Sequence, residues 1–159
     1  MIRIYSKQRH VSKIHGYLNS IGLEHKIFTI KDSPPLEFFD LGVSYCYPRK
    51  ITNPLLSTAN KGFVNYHPGP LPKYRGTTEL DDAIKNKETS WGVTVHFMDE
   101  EYDTGPIIRI KEIPLHEPPT STQELGAVSH YFLFELFKET IKEIYDGKLK
   151  GVPQFEFQQ

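Results

Sequence analysis

The sequence predicts an α/β fold: an open, mostly parallel sheet with helices on both faces, built as a single domain over residues 1–159. Two observations carry this. Short period-2 runs alternate with runs of helical period through the first half, and a Ser-x-x-Glu box opens a long apolar stripe near the other end. A length of 159 residues suits one domain with a sizeable core and is too short for two ordinary ones.

Each element has its own signal. Met1 to Ser6 alternates Ile2 and Ile4 with Arg3 and Tyr5, the pattern of a strand. Val11, Ile14, Leu18 and Ile21 recur at helical spacing, and Gly22 stands where a helix C-cap belongs. His25 to Ile30 reads as a second strand, followed by a connector in which Pro34 and Pro35 deny helix. Leu41 to Cys46 is a third, more buried strand, Leu55 to Ala59 a short helix, and Gly62 to His67 a fourth strand. Thr78 to Lys87 places Leu80, Ala83 and Ile84 on one helical face, while Trp91 to Met98 and Pro106 to Pro114 are strands. Ser121 and Glu124 form a capping box for a helix carrying Leu125, Val128, Phe132, Leu136, Ile141 and Ile144, which stops at Gly147. Phe132, Phe134 and Phe137 on that helix read as core or as the face of a homodimer.

Composition narrows the function classes. Nineteen basic against twenty acidic residues argue against a nucleic-acid surface that releases many counterions. Cys46 is the single cysteine, which excludes an internal disulfide and suits a reducing compartment; it reads as a packed small residue rather than a nucleophile. No apolar run reaches membrane-spanning length and charges crowd residues 1 to 15, so a cytoplasmic address without membrane contact is expected.

The chemistry concentrates where the fourth strand ends, in Asn65-Tyr66-His67-Pro68-Gly69-Pro70-Leu71-Pro72-Lys73-Tyr74-Arg75-Gly76, and in Asp103-Thr104-Gly105-Pro106. In open α/β sheets ligands sit at the carboxyl ends of strands. Asn65 and His67, two apart on a strand, face the same side. An amide can stabilise an oxyanion, an imidazole can change charge near neutral pH, and the Asp103 carboxylate can polarise the ring or relay a proton. With no serine or cysteine nucleophile among them, the set suggests direct attack of an amine on a carbonyl. The prolines stiffen the loop.

These stretches, with Gly92-Val93-Thr94-Val95-His96, resemble the folate-dependent formyltransferases, a family that includes glycinamide ribonucleotide transformylase, the catalytic domain of methionyl-tRNA formyltransferase and the N-formyltransferases of amino-sugar nucleotides. The resemblance covers roughly residues 39 to 150. It implies a Rossmann-like sheet and transfer of a formyl group from N10-formyltetrahydrofolate to a primary amine, without a metal. It makes Asn65, His67 and Asp103 the catalytic residues, and matches Tyr47, Pro48, Arg49, Lys50 and Ile51, with Met98, Asp99, Glu100, Glu101 and Tyr102, to segments that wrap the pterin. His96 matches a family histidine near the site, and reads equally as a core residue.

Departures from the family pattern bear on the acceptor. Ser6-Lys7-Gln8-Arg9-His10 stands in place of the glycine- and serine-rich phosphate loop of glycinamide ribonucleotide transformylase, and no C-terminal β-domain like that of the tRNA enzyme is expected. About 38 residues precede Phe39, fewer than the family spends there, which predicts a sheet lacking one N-terminal strand-helix unit. By elimination, the expected acceptor is a nucleotide-linked amino sugar. Lys7, Arg9 and His10 are then candidates for its phosphates, or a solvated basic turn, and Arg75 either binds acceptor or shapes its loop. Two other classes remain at this point: a folate-binding module without transfer activity, and a metal-dependent hydrolase with His67, His96 and Asp103 as ligands.

Overall fold

One six-stranded sheet organises the chain, in the order β2-β1-β3-β4-β5-β6. Its strands are β1 (Ile2–Ser6), β2 (His25–Phe28), β3 (Leu41–Tyr45), β4 (Phe63–His67), β5 (Ser90–Phe97) and β6 (Ile107–Pro114). The helices are α1 (Val11–Ser20), α2 (Glu79–Lys85) and α3 (Thr122–Tyr145). The computed structural model describes residues 1–157. The first four strands pair in parallel, and β5 and β6 are added antiparallel. The predicted elements are all present, and the Leu55 to Ala59 segment is a 3-10 turn at Leu56–Thr58. No helix among the described residues is long and apolar enough to cross a membrane.

Strand periodicity sorts the side chains between two faces. Ile2, Ile4, Val43, Tyr45, Val64, Tyr66, Val93 and Val95 meet Ile14 and Leu18 of α1 and Leu133, Leu136, Phe137 and Ile141 of α3 in the main core. Tyr66 and Trp91 pair their buried polar atoms there, whereas Tyr45 Oη has no partner among the described residues. Tyr66 Oη and Thr140 Oγ1 are 2.9 Å apart, and Trp91 Nε1 donates to Ser129 Oγ at 2.9 Å. Phe137 is core, with Tyr45 and Tyr66 packed edge-on against its ring, while Phe132 and Phe134 are half-buried at the margin. Ser121 Oγ accepts from the Glu124 N–H at 3.1 Å, as the capping box requires, but the Glu124 carboxylate reaches Thr120 rather than Ser121.

The opposite face is covered differently. Tyr5, Phe39, Ile51 and Phe63 form a second cluster with Tyr47, Leu55, Leu56 and Met98, so helical cover there reduces to one 3-10 turn within the connection from β3 to β4. Gly42 permits this packing, since a Cβ on it would lie 2.3 Å from the Phe63 ring. Residues 29–40 run from β2 to β3 without a helix, as Pro34 and Pro35 demand, and Arg3 pins them. Its guanidinium lies 4.5 Å from the Phe39 ring centroid and donates to the Pro35 carbonyl at 2.6 Å. Arg3 is therefore 1% exposed although the alternation of β1 reads as half polar.

Topology places the site. The chain leaves β1 through α1 to β2 on one side, then returns to β3 on the other, so the connections diverge beyond the ends of β1 and β3. Lys7 to His10 and Cys46 to Ile51 lie at that divergence. The antiparallel register of β5 sets His96 opposite Asn65 and Thr94 opposite His67, and a bulge between Val95 and His96 interrupts the pairing with β6 beside them.

Candidate active site

Asn65 and His67 project from the side of β4 opposite Val64 and Tyr66, and the loop after β5 carries Asp103 back to them. Asn65 Nδ2 donates to Asp103 Oδ1 at 3.2 Å, and His67 Nδ1 stands 3.6 Å from Asp103 Oδ2. His96 Nε2 lies 3.4 Å from Asp103 Oδ1 and 3.3 Å from Asn65 Nδ2. Four polar side chains thus meet at one wall of a cavity of about 540 Å³.

Each is oriented from behind. The Tyr74 carbonyl can only accept, so His67 Nε2 carries a proton toward it at 2.6 Å and turns Nδ1 toward Asp103. His96 Nδ1 donates to the Phe97 carbonyl at 2.7 Å. Thr94, opposite His67 in register, holds the proline-rich loop. Its Oγ1 donates to the Gly69 carbonyl at 2.8 Å and accepts from the Leu71 N–H at 3.1 Å.

Asp103 is held against its own backbone preference. Its φ of 55° lies in the left-handed region, where a non-glycine residue is strained. The Gly76 N–H donates to Oδ2 at 2.8 Å, and Gln154 Nε2 donates to the Asp103 carbonyl at 2.7 Å and to the Gly105 carbonyl at 2.9 Å. Gln154 Oε1 in turn accepts from Arg75 Nη2 at 2.8 Å. Burial pushes the Asp103 carboxyl pKa upward, but His96, the charge of His67 and the Gly76 N–H outweigh it and hold the group below its ordinary value.

A basic end closes the same cavity. Lys7 and Arg9 line it at the divergence of β1 and β3, with Cys46 and His130. Arg9 Nε donates to His10 Nε2 at 3.2 Å, and Arg9 Nη2 lies 3.1 Å from His130 Nε2. Burial and the neighbouring cations push His10 down to about 3 and His130 down to about 4, so both rings are neutral acceptors at neutral pH and fix the guanidinium. Burial pushes the Cys46 thiol up to about 11, a packed rather than a reactive group. Among the described residues, His10, Cys46 and His130 are the grouping with ligand atoms close enough for a metal, within 4.8 Å of one another. Arg9 sets a cation on the histidine lone pairs that an ion would need.

A family model described as Formyl transferase matches residues 37–131. The chain belongs to the formyl transferase family. The methionyl-tRNA formyltransferase of Dictyoglomus turgidum is 36% identical over 110 residues, covering 69% of this chain and 35% of that protein. That of Sorangium cellulosum is 30% identical over 115 residues, 72% of this chain and 37% of that protein. The chain thus spans a little over a third of the length of these relatives. In fold, it superposes with a TM-score of 0.82 on the Helicobacter canadensis N-formyltransferase solved with folinic acid and dTDP-3-aminofucose, at 21% identity over 96% of this chain and 66% of that one. The formyltransferase PseJ of Anoxybacillus kamchatkensis, solved with a UDP-linked formamido sugar and tetrahydrofolate, gives 0.75 at 23% identity, covering 97% and 82%. The phosphoribosylglycinamide formyltransferase of Streptococcus pneumoniae gives 0.69 at 20% identity, covering 91% and 98%.

On this formyl transferase scaffold most residues singled out from the sequence meet in one place. Asn65, His67, Asp103, His96, Lys7, Arg9, Tyr47, Pro48, Arg49, Lys50, Ile51, Met98, Asp99, Glu101 and Tyr102 all line the cavity. Three do not. His10 is buried edge-on against Tyr45, Arg75 is turned to Gln154, and Glu100 accepts from Asn53 Nδ2 at 2.5 Å. Arg75 is thus directed to Gln154 and not into the cavity. Sequence reasoning missed Gln154 and Glu79, because a glutamine after a proline and an acid in the first turn of a helix carry no distinctive pattern. We expect Gln154→Ala to cost about 1–3 kcal/mol in thermal denaturation, by leaving two carbonyls beside Asp103 unpaired. An unchanged melting temperature would show that these bonds do not hold the loop.

Proposed function

We propose that this chain transfers a formyl group from N10-formyltetrahydrofolate to the amino group of a nucleotide-linked amino sugar, with Asn65, His67 and Asp103 as catalytic residues. The convergence of these three groups on one cavity wall carries the reading. The acceptor amine attacks the formyl carbonyl, Asn65 Nδ2 and the His67 ring stabilise the tetrahedral oxyanion, and Asp103 assists proton transfer to the leaving N10 through water. A single oxyanion donor contributes about 10²- to 10³-fold in rate. The segments Tyr47 to Ile51 and Met98 to Tyr102 provide the pterin wall, with Ile51 and Met98 as its apolar floor. Two lines support the acceptor class. Lys7 and Arg9 set fixed positive charge at the far end of the cavity, and solved neighbours with high coverage of this chain contain dTDP- and UDP-linked sugars.

The curated relatives favour a second acceptor, since they are methionyl-tRNA formyltransferases. Incubating the protein with N10-formyltetrahydrofolate and, separately, nucleotide-linked amino sugars, glycinamide ribonucleotide and charged methionyl-tRNA, with mass detection of the formamide, decides among them. A formylated sugar nucleotide is the expected product. Formylation of the tRNA alone would replace the acceptor but keep the chemistry, and folate binding without any formamide would select a non-catalytic module.

A further inference from the structure

Glu79 opens α2 on the cavity wall, and it is an anomaly there. The residue is 7% exposed, lines the cavity, and its Oε2 has no hydrogen-bond partner among the described residues. Leaving a buried carboxylate oxygen without a protein partner is costly, and such a group is a candidate for completion by a ligand. The other buried unpaired atoms, Arg3 Nε, Tyr5 Oη and Tyr45 Oη, lie outside the cavity. Electrostatics of the helix end does not require Glu79, since Asp81 and Asp82 occupy the same first turn with access to water.

Its position relative to the reacting groups is defined by Gly69. The point where a Cβ would stand on Gly69 is 3.2 Å from His67 Nε2 and 3.3 Å from Glu79 Cγ. The Glu79 side chain therefore passes beside the Nε2 edge of His67, while Asp103 faces the Nδ1 edge. The charge of Glu79 also reaches the Cys46 thiol, which lines the same cavity and feels Lys7, Arg9 and Lys13 as well. A molecule filling the cavity thus meets the cations of Lys7 and Arg9, the Asn65, His67 and Asp103 wall, and an acid with one unpartnered oxygen.

Building on the formyl-transfer reading, we propose that Glu79 receives the acceptor amine, binding its ammonium form and taking the proton that must leave before attack. The acceptor class is then a protonated primary amine carried on an anionic molecule. In the balanced step, R–NH3⁺ gives one proton to the Glu79 carboxylate, and the freed nitrogen lone pair forms the C–N bond to the formyl carbon. The C–N10 bond breaks with its electrons on N10, which takes the second proton from the attacking nitrogen by way of Asp103 and water. Glu79 then releases its proton to solvent. The groups that bias its ionisation are consistent with this. Burial raises the carboxyl above its ordinary pKa, its own N–H and His67 lower it, and Asp103 and Asp81 raise it. The net upward shift brings its basicity closer to that of an amine, as proton transfer favours.

Glu79→Gln tests the assignment, because it keeps the shape and removes the base. With the acceptor identified for the wild type, kcat/KM for the amine is measured across pH 6–9 beside folinic acid affinity and melting temperature. We expect folinic acid affinity unchanged, kcat/KM at pH 7 lower by about 10²-fold, and residual activity that climbs with pH as free amine accumulates. A weakly basic acceptor such as hydroxylamine, already neutral at pH 7, should lose less than tenfold. The melting temperature should hold or rise, since a carboxyl whose folded pKa is raised opposes folding above its unfolded pKa. A wild-type kcat/KM and pH profile in Glu79→Gln overturns the role of Glu79 alone. A wild-type protein that formylates no amine overturns the formyl-transfer reading and this proposal with it. Should Glu79→Gln fail to fold, Glu79→Asp replaces it, with an intermediate kcat/KM and a pH limb like that of the wild type as the supporting result and full activity as the contrary one.

Discussion

Asp103→Asn is expected to lower formyl transfer by about 10²- to 10⁴-fold while folinic acid still binds. The substitution keeps the size of the side chain but removes the charge that faces His67 Nδ1 and His96 Nε2 at 3.6 and 3.4 Å. An amide in its place also competes as a donor, so the Gly76 N–H, now 2.8 Å from Oδ2, loses its partner if the amide nitrogen turns toward it. Turnover within threefold of the wild type in a purified, folded variant would remove Asp103 from the reaction. The same substitution has a stability signature whose sign follows from the depressed carboxyl. A group whose folded pKa is lowered contributes stability that is complete above its unfolded value of about 3.9, and loses it as pH falls through the folded value. Burial opposes ionisation of Asp103, but His96, His67 and the Gly76 N–H more than offset it. The difference in urea midpoint between wild type and Asp103→Asn should therefore narrow as pH falls below about 4. A difference that stays constant from pH 7 to pH 3 would mean that the charge is not stabilised in the fold.

Gly105→Ala should be the most damaging single methyl in the loop. A Cβ on Gly105 would stand 1.8 Å from the Phe97 carbonyl oxygen and 2.8 Å from its carbon. Both are backbone atoms of a paired strand. Neither can rotate away as the end of a side chain would. The Phe97 N–H is bonded to the Pro106 carbonyl at 2.9 Å and the Gly105 carbonyl to Gln154, so the loop cannot lift without breaking bonds on both sides. Overpacking of this kind costs about 1–3 kcal/mol, and the upper part of that range is expected here, roughly a 5–10 °C fall in melting temperature for a domain of this size. Activity should fall with it, because Asp103 is two residues away in a strained conformation that the loop maintains. A variant as stable and active as the wild type would show that the 103–106 turn has room to move. Gly147→Ala is a suitable control: its positive φ makes it strained, but open space surrounds it, so it should cost stability without loss of catalysis.

The elements of this fold were legible because each announces itself locally. The alternation around Val64 and Tyr66, the helical spacing in α1 and the capping box of α3 are short-range patterns, and short-range sterics decide them. The two-residue spacing of Asn65 and His67 likewise determines, on a strand, that both face the same side. Asp103 could be linked to them through the resemblance, but its left-handed backbone could not be read, because nothing in Tyr-Asp-Thr-Gly demands it. That conformation is imposed from outside by Gly76, Gln154 and the close packing of Gly105 on Phe97.

What the sequence by itself determined was the sheet, the order of its strands and helices, and the chemical set of amide, imidazole and carboxylate. What the tertiary structure alone decided was which groups join that set and in what state. Arg3 became buried because residues 31–38 fold over it, His10 and Arg75 were drawn away from the cavity by Tyr45 and Gln154, and Glu79 was left inside it with Oε2 unpartnered. The reason is physical. Periodicity and spacing act over a few residues, whereas burial and hydrogen-bond satisfaction depend on partners tens of positions away that only the folded chain brings together.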